Sequence, residues 1–257
     1  MTYAKLRDVG WSRYAALGDS FTEGLDDPYP DGRGFRGWAD LVAVSLGVEY
    51  ANLAVRGRLF DAVVAEQVDP ALAMKPDLIS FAAGGNDVLR RHCDPPTLMR
   101  RFEETIKTFR GTGSDVIIFR YANVMTRLPA TRMIAPRVAY LNQSVGEIAD
   151  LHGAHLVDLW SDDEFLNPAL WSTDRLHLSA AGHRRTAAHV LTALGETPDP
   201  LWWETPTRPA AKPWPMARAD DFAWAAKHLA PWIKRRLTGR SSGDLIKPKR
   251  PNMGPIG

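Results

Sequence analysis

The chain has 257 residues, of which 45% are hydrophobic and 24% charged, and its formal net charge at pH 7 is +2. This length and composition suit one α/β domain, alone or with an appendage. No stretch approaches the roughly 18 apolar residues that a membrane-spanning helix needs. The single cysteine, Cys93, excludes an internal disulfide, and the first ten residues lack the apolar run of a signal peptide. We therefore expect a cytoplasmic protein.

Short apolar segments alternate with helical patterns along the first 195 residues. Strands are predicted over 14–17, 49–55, 78–82, 116–119 and 155–160, and helices over 37–46, 59–74, 96–110, 134–151 and 179–194. The strands are mostly apolar and rich in Val, Ile and Leu, as expected when helices cover both faces of a parallel sheet. Repeated β-α units predict a three-layer α/β/α sandwich around a five-stranded parallel sheet of flavodoxin-like order. In such a fold, ligands bind at the carboxyl ends of the strands.

After residue 195 the composition changes. Six prolines and three tryptophans fall between residues 198 and 215, which favours an extended strap over regular helix. Residues 216–237 then have helical spacing that Pro231 should break. We predict one α/β domain over 1–195, a strap with an amphipathic helix over 196–238, and a basic, disordered tail over 239–257.

The charge is divided unevenly between the two parts of the chain. Residues 201–257 carry 11 Lys and Arg against 4 Asp and Glu, whereas residues 1–200 carry 21 against 26. A basic tail could meet an anionic membrane surface, but more often it lies against its own acidic domain, and we favour that arrangement. No nucleic-acid partner is expected, and the sequence leaves the oligomeric state open.

Ser20 directly follows the first predicted strand, in Gly18-Asp19-Ser20. A serine on a strand-to-helix turn lies among backbone N–H groups that favour negative charge, which suits a nucleophile. The tripeptide alone is weak evidence, because average residue usage produces it by chance in roughly one chain in fifteen of this length.

Two further turns follow predicted strands. Gly84-Gly85-Asn86-Asp87 follows the third strand, where the Asn86 side chain offers N–H donors without a titrating proton. Gly57 lies just beyond the second strand and could present a backbone N–H. Either could equally be an ordinary glycine turn.

Asp174-Arg175-Leu176-His177 precedes the last predicted helix of the domain. This spacing puts both side chains on one loop, where the carboxylate can hold the tautomer of the imidazole. A lone Asp-x-x-His is more often surface decoration. The four turns gain weight together, since the ends of neighbouring parallel strands share one edge of a sheet, and the set supplies a nucleophile, donors and a base.

These residues resemble the SGNH hydrolases, also called the GDSL esterase/lipase family. The matching blocks are residues 16–24, 52–57, 84–87 and 174–179, in the order of the family, and the resemblance covers about residues 14–194. Phe21 stands where the family motif has Leu, at a position that mainly packs. The extension after residue 195 lies outside the resemblance.

The resemblance implies Ser20 as nucleophile, His177 as general base and then acid, and Asp174 as the residue that orients His177. It also implies an oxyanion hole formed by the N–H groups of Ser20 and Gly57 and the side chain of Asn86. We expect an esterase acting on short-chain acyl or acetyl esters through an acyl-enzyme, with no metal and no cofactor.

Several alternatives stay open. The same triad serves acyltransferases, thioesterases and lysophospholipases, and a non-catalytic α/β binding module could keep the motifs. A nucleotide-binding module is disfavoured, because neither a G-x-G-x-x-G after the first strand nor a P-loop occurs.

Overall fold

The computed structural model describes residues 10–123, 131–210, 213–229 and 242–256. Six strands form one sheet in the order β5-β4-β3-β1-β2-β6. They are β1 Arg13–Gly18, β2 Glu49–Asn52, β3 Leu78–Ala82, β4 Asp115–Arg120, β5 His155–Asp158 and β6 Arg250–Pro255. The first five strands are parallel, as predicted, and β6 is antiparallel to β2.

Helices follow the strands in alternation. The longer ones are α2 Gly37–Leu46, α6 Pro95–Gly111, α7 Thr131–His152, α8 Ala180–Ala193 and α9 Trp214–Trp224. Single turns at α1 Ser20–Glu23 and α5 Gly85–Val88 follow β1 and β3, and a π-helical turn at Val64–Val68 joins α3 Phe60–Val63 to α4 Asp69–Ala73. Among the described residues, no helix has the length and apolar character needed to cross a bilayer.

The sheet separates two apolar cores, as the side-chain alternation of a strand requires. In β1, Tyr14 and Ala16 face a core that includes residues of α2 and α8, whereas Ala15 and Leu17 face a core that includes residues of α6 and α7. The predicted three-layer α/β/α sandwich is therefore confirmed.

The sixth strand corrects two expectations. The sheet was expected to have five strands, and residues 239–257 were expected to be disordered, yet Arg250–Pro255 pairs with β2 from Glu49↔Pro255 to Asn52↔Arg250. Proline is tolerated on an edge strand, where an N–H can face solvent, so the two prolines of β6 do not prevent pairing. A composition-based prediction weighs the basic and proline residues of the segment and does not include the open edge of β2 that receives it.

Lys249 anchors the start of β6. Its ammonium group lies 2.6 Å from Oδ1 of Asp40 in α2 and donates to the carbonyl oxygens of Phe35 and Arg36 at 3.1 and 2.5 Å. Asp40 is only 2% exposed, and it also accepts hydrogen bonds from two tyrosine hydroxyls. The ion pair of Lys249 and Asp40 therefore joins the start of β6 to the buried face of α2.

Residues 196–256, here called the C-terminal extension, are hydrogen-bonded to the domain. Arg185 of α8 donates to the carbonyl oxygen of Trp203 at 2.8 Å, and Asn167 donates to that of Pro206 at 2.9 Å. The predicted helix over 216–237 begins earlier, at Trp214, and continues from α9 into a π-helical turn at Ala225–Leu229. Its predicted break at Pro231 lies outside the described residues.

Candidate active site

Ser20 begins α1 at the carboxyl end of β1, on a turn that requires glycine two residues earlier. A Cβ on Gly18 would lie 2.5 Å from the carbonyl oxygen of Ala82, so no larger residue fits without moving the backbone of the neighbouring strand. The buried side chain of Gln67 fixes the same glycine by accepting its N–H at 2.8 Å and donating to its carbonyl at 2.9 Å. The turn thus places Ser20 at the edge of the sheet where the predicted site lies.

The structure brings Ser20, His177 and Asp174 into one hydrogen-bonded chain. His177 Nε2 lies 2.9 Å from Ser20 Oγ, and His177 Nδ1 lies 2.5 Å from Asp174 Oδ2. The other carboxylate oxygen of Asp174 accepts the backbone N–H groups of Leu176 and His177, each at 2.9 Å. With the Nδ1 proton shared with Asp174, Nε2 is left to accept the hydroxyl proton of Ser20.

The charges and hydrogen bonds around His177 favour the protonated form of its imidazole. Burial raises the pKa of Asp174, but its hydrogen bond to His177 and the charge of that imidazole outweigh burial, and the pKa falls to about 2. Burial likewise lowers the pKa of His177, yet the hydrogen bond and charge of Asp174, with smaller contributions from Asp26 and Asp19, hold it above its ordinary value. A base with a raised pKa retains a proton well once it has taken one from the nucleophile.

The two backbone N–H groups predicted for the oxyanion hole are those of Ser20 and Gly57. Neither Ser20 nor Gly57 has an acceptor for its N–H among the described residues, and Gly57 adopts a φ of +74°, which glycine tolerates. Glu23 of α1 fixes the loop that carries Gly57, because its carboxylate accepts the Arg56 N–H at 2.8 Å and pairs with the Arg56 guanidinium. Gly57 does not belong to the lining of the cavity described below.

Asn86 lines the same cavity as Ser20, and its amide is already engaged. Its Nδ2 donates to Asp19 Oδ2 at 2.8 Å and to the carbonyl oxygen of Arg58 at 3.0 Å. A carbonyl oxygen arriving here would share one of these N–H groups with Arg58. Asp19 therefore orients Asn86, and burial raises the pKa of Asp19 to about 6.

A cavity of about 130 Å³ opens at Ser20, Asn86 and His177. Its walls are mostly apolar and include aromatic and aliphatic side chains that are far apart in the sequence: Phe21, Tyr121, Val138, Leu141, Leu159 and Trp171. His183 also lines the cavity, and its ring bridges the Trp38 N–H and the Leu25 carbonyl oxygen at 3.3 and 3.0 Å. Burial lowers the pKa of His183 to about 4, so its ring stays neutral.

Asp26 lies beside His177, although no motif in the sequence singles it out. It begins the polar loop over residues 26–35, and its Oδ2 lies 4.0 Å from His177 Nδ1. Its φ of +70° is uncommon outside glycine, and strained backbone of this kind clusters at functional sites. No local pattern indicates this proximity, because residues 26 and 177 meet only through the tertiary fold.

The pH dependence of kcat/KM should report the negative charges around His177. The predicted base, His177, can accept a proton only when its imidazole is neutral, so we expect kcat/KM to fall as the pH drops through a His177 pKa above 6.5. Asp174, Asp26 and Asp19 all raise this pKa. Asp26→Asn removes one negative charge and should shift the acidic limb to lower pH by about 0.2–0.7 unit, as expected for a partly exposed charge pair.

The matched control is Asp31→Asn, in the same loop, where the carboxylate is exposed and paired with Arg33. Its profile should coincide with that of the wild type. Asparagine adopts positive φ readily, so Asp26→Asn does not strain the loop. Superimposable profiles for the two variants would show that Asp26 does not act on His177.

One group of side chains has the spacing of metal ligands among the described residues. It consists of Asp26, Asp174 and His177, whose ligand atoms lie within 4.8 Å of one another. A cation there would take the Nδ1 atom and the carboxylate that form the hydrogen bond of the triad. Metal binding and the base function of His177 therefore exclude each other at these atoms.

A serine, an imidazole and a carboxylate in hydrogen-bonded sequence at the edge of a parallel sheet have the geometry of a serine hydrolase. Residues 16–185 match the model of the GDSL-like Lipase/Acylhydrolase family. Since the match spans more than half of the chain, the protein belongs to this family and is an ester-hydrolysing enzyme of the SGNH type. Comparison with curated protein sequences finds no significant match.

Solved structures share the fold at low identity. LAE5, an α/β hydrolase enzyme from the metagenome of Lake Arreo, is 23% identical with a TM-score of 0.60, over 72% of this chain and 95% of its own. The acetylxylan esterase Axe2 from Geobacillus stearothermophilus is 20% identical with a TM-score of 0.60, over 76% and 97%. TesA is 21% identical with a TM-score of 0.56, over 70% and 97%. These similarities support the α/β/α fold of the domain.

Proposed function

We propose that the protein hydrolyses carboxylic esters of short acyl chains through an acyl-enzyme formed on Ser20. The observation that supports this most is the hydrogen-bonded chain from Ser20 Oγ through His177 to Asp174 at the mouth of an apolar cavity. A nucleophile and base within 3 Å of each other, with the base oriented by a third group, are the requirements of covalent acyl transfer.

In the first half-reaction, His177 Nε2 takes the proton of Ser20 as Oγ bonds to the ester carbonyl carbon. The carbonyl oxygen becomes an oxyanion, which the N–H groups of Ser20 and Gly57 and the Asn86 amide stabilise. Collapse of this intermediate breaks the bond to the alkoxy oxygen, which leaves with the proton from His177. Water then repeats the sequence on the acyl-enzyme, releasing the acid and restoring Ser20.

The cavity limits the acyl group. An apolar cavity of 150 Å³ accommodates benzene, so the roughly 130 Å³ found here suits an acyl chain of about two to six carbons. Its walls offer apolar contact and few hydrogen bonds, which favours a plain alkyl chain over a sugar in this position. We also propose that the protein is cytoplasmic and that its basic C-terminal extension lies against its own domain and not against a membrane surface.

The experiment is a comparison of kcat/KM for p-nitrophenyl acetate, butyrate and octanoate. Butyrate should be hydrolysed at least as well as acetate, because its added methylenes are buried, and octanoate should be at least tenfold poorer, because its chain exceeds the cavity. An octanoate rate equal to the butyrate rate would reject the short-chain assignment. No hydrolysis of any of the three esters would reject the esterase itself.

A further inference from the structure

Helix α9 of the C-terminal extension bonds directly to the loop that carries the base. The indole N–H of Trp224 donates to the backbone carbonyl oxygen of Asp174 at 3.0 Å. One turn earlier, Asp221 accepts a hydrogen bond from the guanidinium of Arg175 at 2.8 Å. The same guanidinium lies 4.9 Å from the centre of the Trp224 ring, within the range of a cation–π contact.

These contacts fix a strained part of the loop. Arg175 has a φ of +64°, a conformation that residues with a Cβ rarely adopt and that persists only when the surroundings hold it. This conformation lets the Asp174 carboxylate accept the N–H groups of Leu176 and His177 while it faces the imidazole. α9 holds the peptide between Asp174 and Arg175 at its carbonyl oxygen and at the following side chain.

The contacts come from outside the part of the chain that defines the family. The family model ends at residue 185, whereas α9 begins at Trp214. Neither Trp224 nor Asp221 lines the cavity beside Ser20. α9 can therefore influence the reaction through the loop but has no contact with a substrate in that cavity.

We propose that α9 is a positioning element of the active site, in which Trp224 holds the Asp174 carbonyl and thereby keeps the Asp174 carboxylate aligned with His177. This inference rests on the proposed esterase function. Trp224 is accordingly a positioning residue, since it acts through Asp174 and does not touch the reacting atoms. Its effect belongs to kcat, because the alignment of the triad matters when the proton moves and substrate binding does not depend on it.

The test compares Trp224→Phe with Trp214→Phe, the same substitution on the same helix at an indole that is 72% exposed. Trp224→Phe keeps an aromatic ring over Arg175 but removes the N–H donor. We expect its kcat to fall about threefold to tenfold, the effect of one hydrogen bond, with KM unchanged. Trp214→Phe should keep both constants of the wild type.

A second readout does not depend on ester turnover. The proton between Asp174 and His177 lies in a bond of 2.5 Å and should give a ¹H NMR resonance far downfield that disappears in Asp174→Asn. In Trp224→Phe this resonance should move upfield or broaden, and in Trp214→Phe it should not change. An unchanged kcat together with an unchanged resonance in Trp224→Phe would overturn the proposal.

Two controls separate other causes of failure. If Trp224→Phe does not fold, Trp224→Met, which also lacks the N–H donor and whose flexible side chain can refill the space, is measured by the same two readouts, and wild-type values there overturn the proposal. If the wild type hydrolyses no ester but the resonance responds as expected, the positioning by α9 stands and the proposed function fails. If the wild type hydrolyses the esters but neither kcat nor the resonance changes in Trp224→Phe, the positioning by α9 is rejected and the esterase function stands.

Discussion

Ser20→Ala is expected to lower kcat for p-nitrophenyl butyrate by roughly four to six orders of magnitude, the loss typical of removing the nucleophile of a triad. Without Oγ, no atom can form the acyl-enzyme, and His177 Nε2 loses its partner at 2.9 Å. Folding should be unaffected, because alanine keeps the Cβ and the hydroxyl has no structural partner besides His177 among the described residues. The thermal unfolding midpoint, measured beside the kinetics, checks this.

The triad should also behave as one unit. A Ser20→Ala/His177→Ala double variant should lose about as much activity as Ser20→Ala alone, because either change removes the same step. Ser45→Ala, on the exposed side of α2, is the matched serine control and should retain wild-type kinetics. A Ser20→Ala enzyme within tenfold of the wild type would exclude Ser20 as nucleophile.

Lys249→Met is expected to lower the free energy of unfolding by about 3 kcal/mol, the effect of removing one partner of a buried ion pair. The change leaves the Asp40 carboxylate, 2% exposed, without its cation, and removes the hydrogen bonds that the ammonium group donates to the carbonyl oxygens of Phe35 and Arg36. Two tyrosine hydroxyls still donate to Asp40, which keeps the loss below that of a fully unpaired charge. Urea unfolding followed by circular dichroism measures it.

Two further variants isolate the ion pair. Lys247→Met, two residues earlier and exposed, should change the free energy of unfolding by less than about 0.5 kcal/mol. Adding Asp40→Asn to Lys249→Met should restore part of the lost stability, because a neutral amide costs less to bury than a carboxylate. Equal unfolding midpoints for Lys249→Met and Lys247→Met would contradict a structural role for this pair.

The parallel part of the fold could be predicted from the sequence, because each of its strands is a short apolar segment between turns. β2 was nevertheless predicted to run to Val55 and ends at Asn52. The Asn52 side chain accepts the Ala54 N–H at 3.0 Å, which turns the backbone while the following residues stay apolar and buried. A hydrophobicity pattern reports burial, and here burial continues after the strand has ended.

The candidate site likewise has residues that the sequence predicts and residues that it does not. Ser20, Asn86, Asp174 and His177 could be located because each lies on a turn directly beside a predicted strand or helix. The structure joins Ser20, His177 and Asp174 by hydrogen bonds. Trp224 contacts the same loop from 50 residues further along the chain, in a helix whose sequence carries no matching motif. Such contacts depend on how the chain returns to the domain, which local patterns do not contain.

The pairing of β6 with β2 also sets a schedule for folding during synthesis. Glu49 pairs with Pro255, so the partner of β2 is made about 200 residues after β2 itself. At typical rates of synthesis, about 5–20 residues per second, the interval is roughly 10–40 s. During that time the outer edge of β2 presents unpaired N–H and C=O groups to any passing strand. The edge of β2 is therefore open to aggregation until residues 250–255 have been made and have paired with it, and chaperone protection matters most before that pairing.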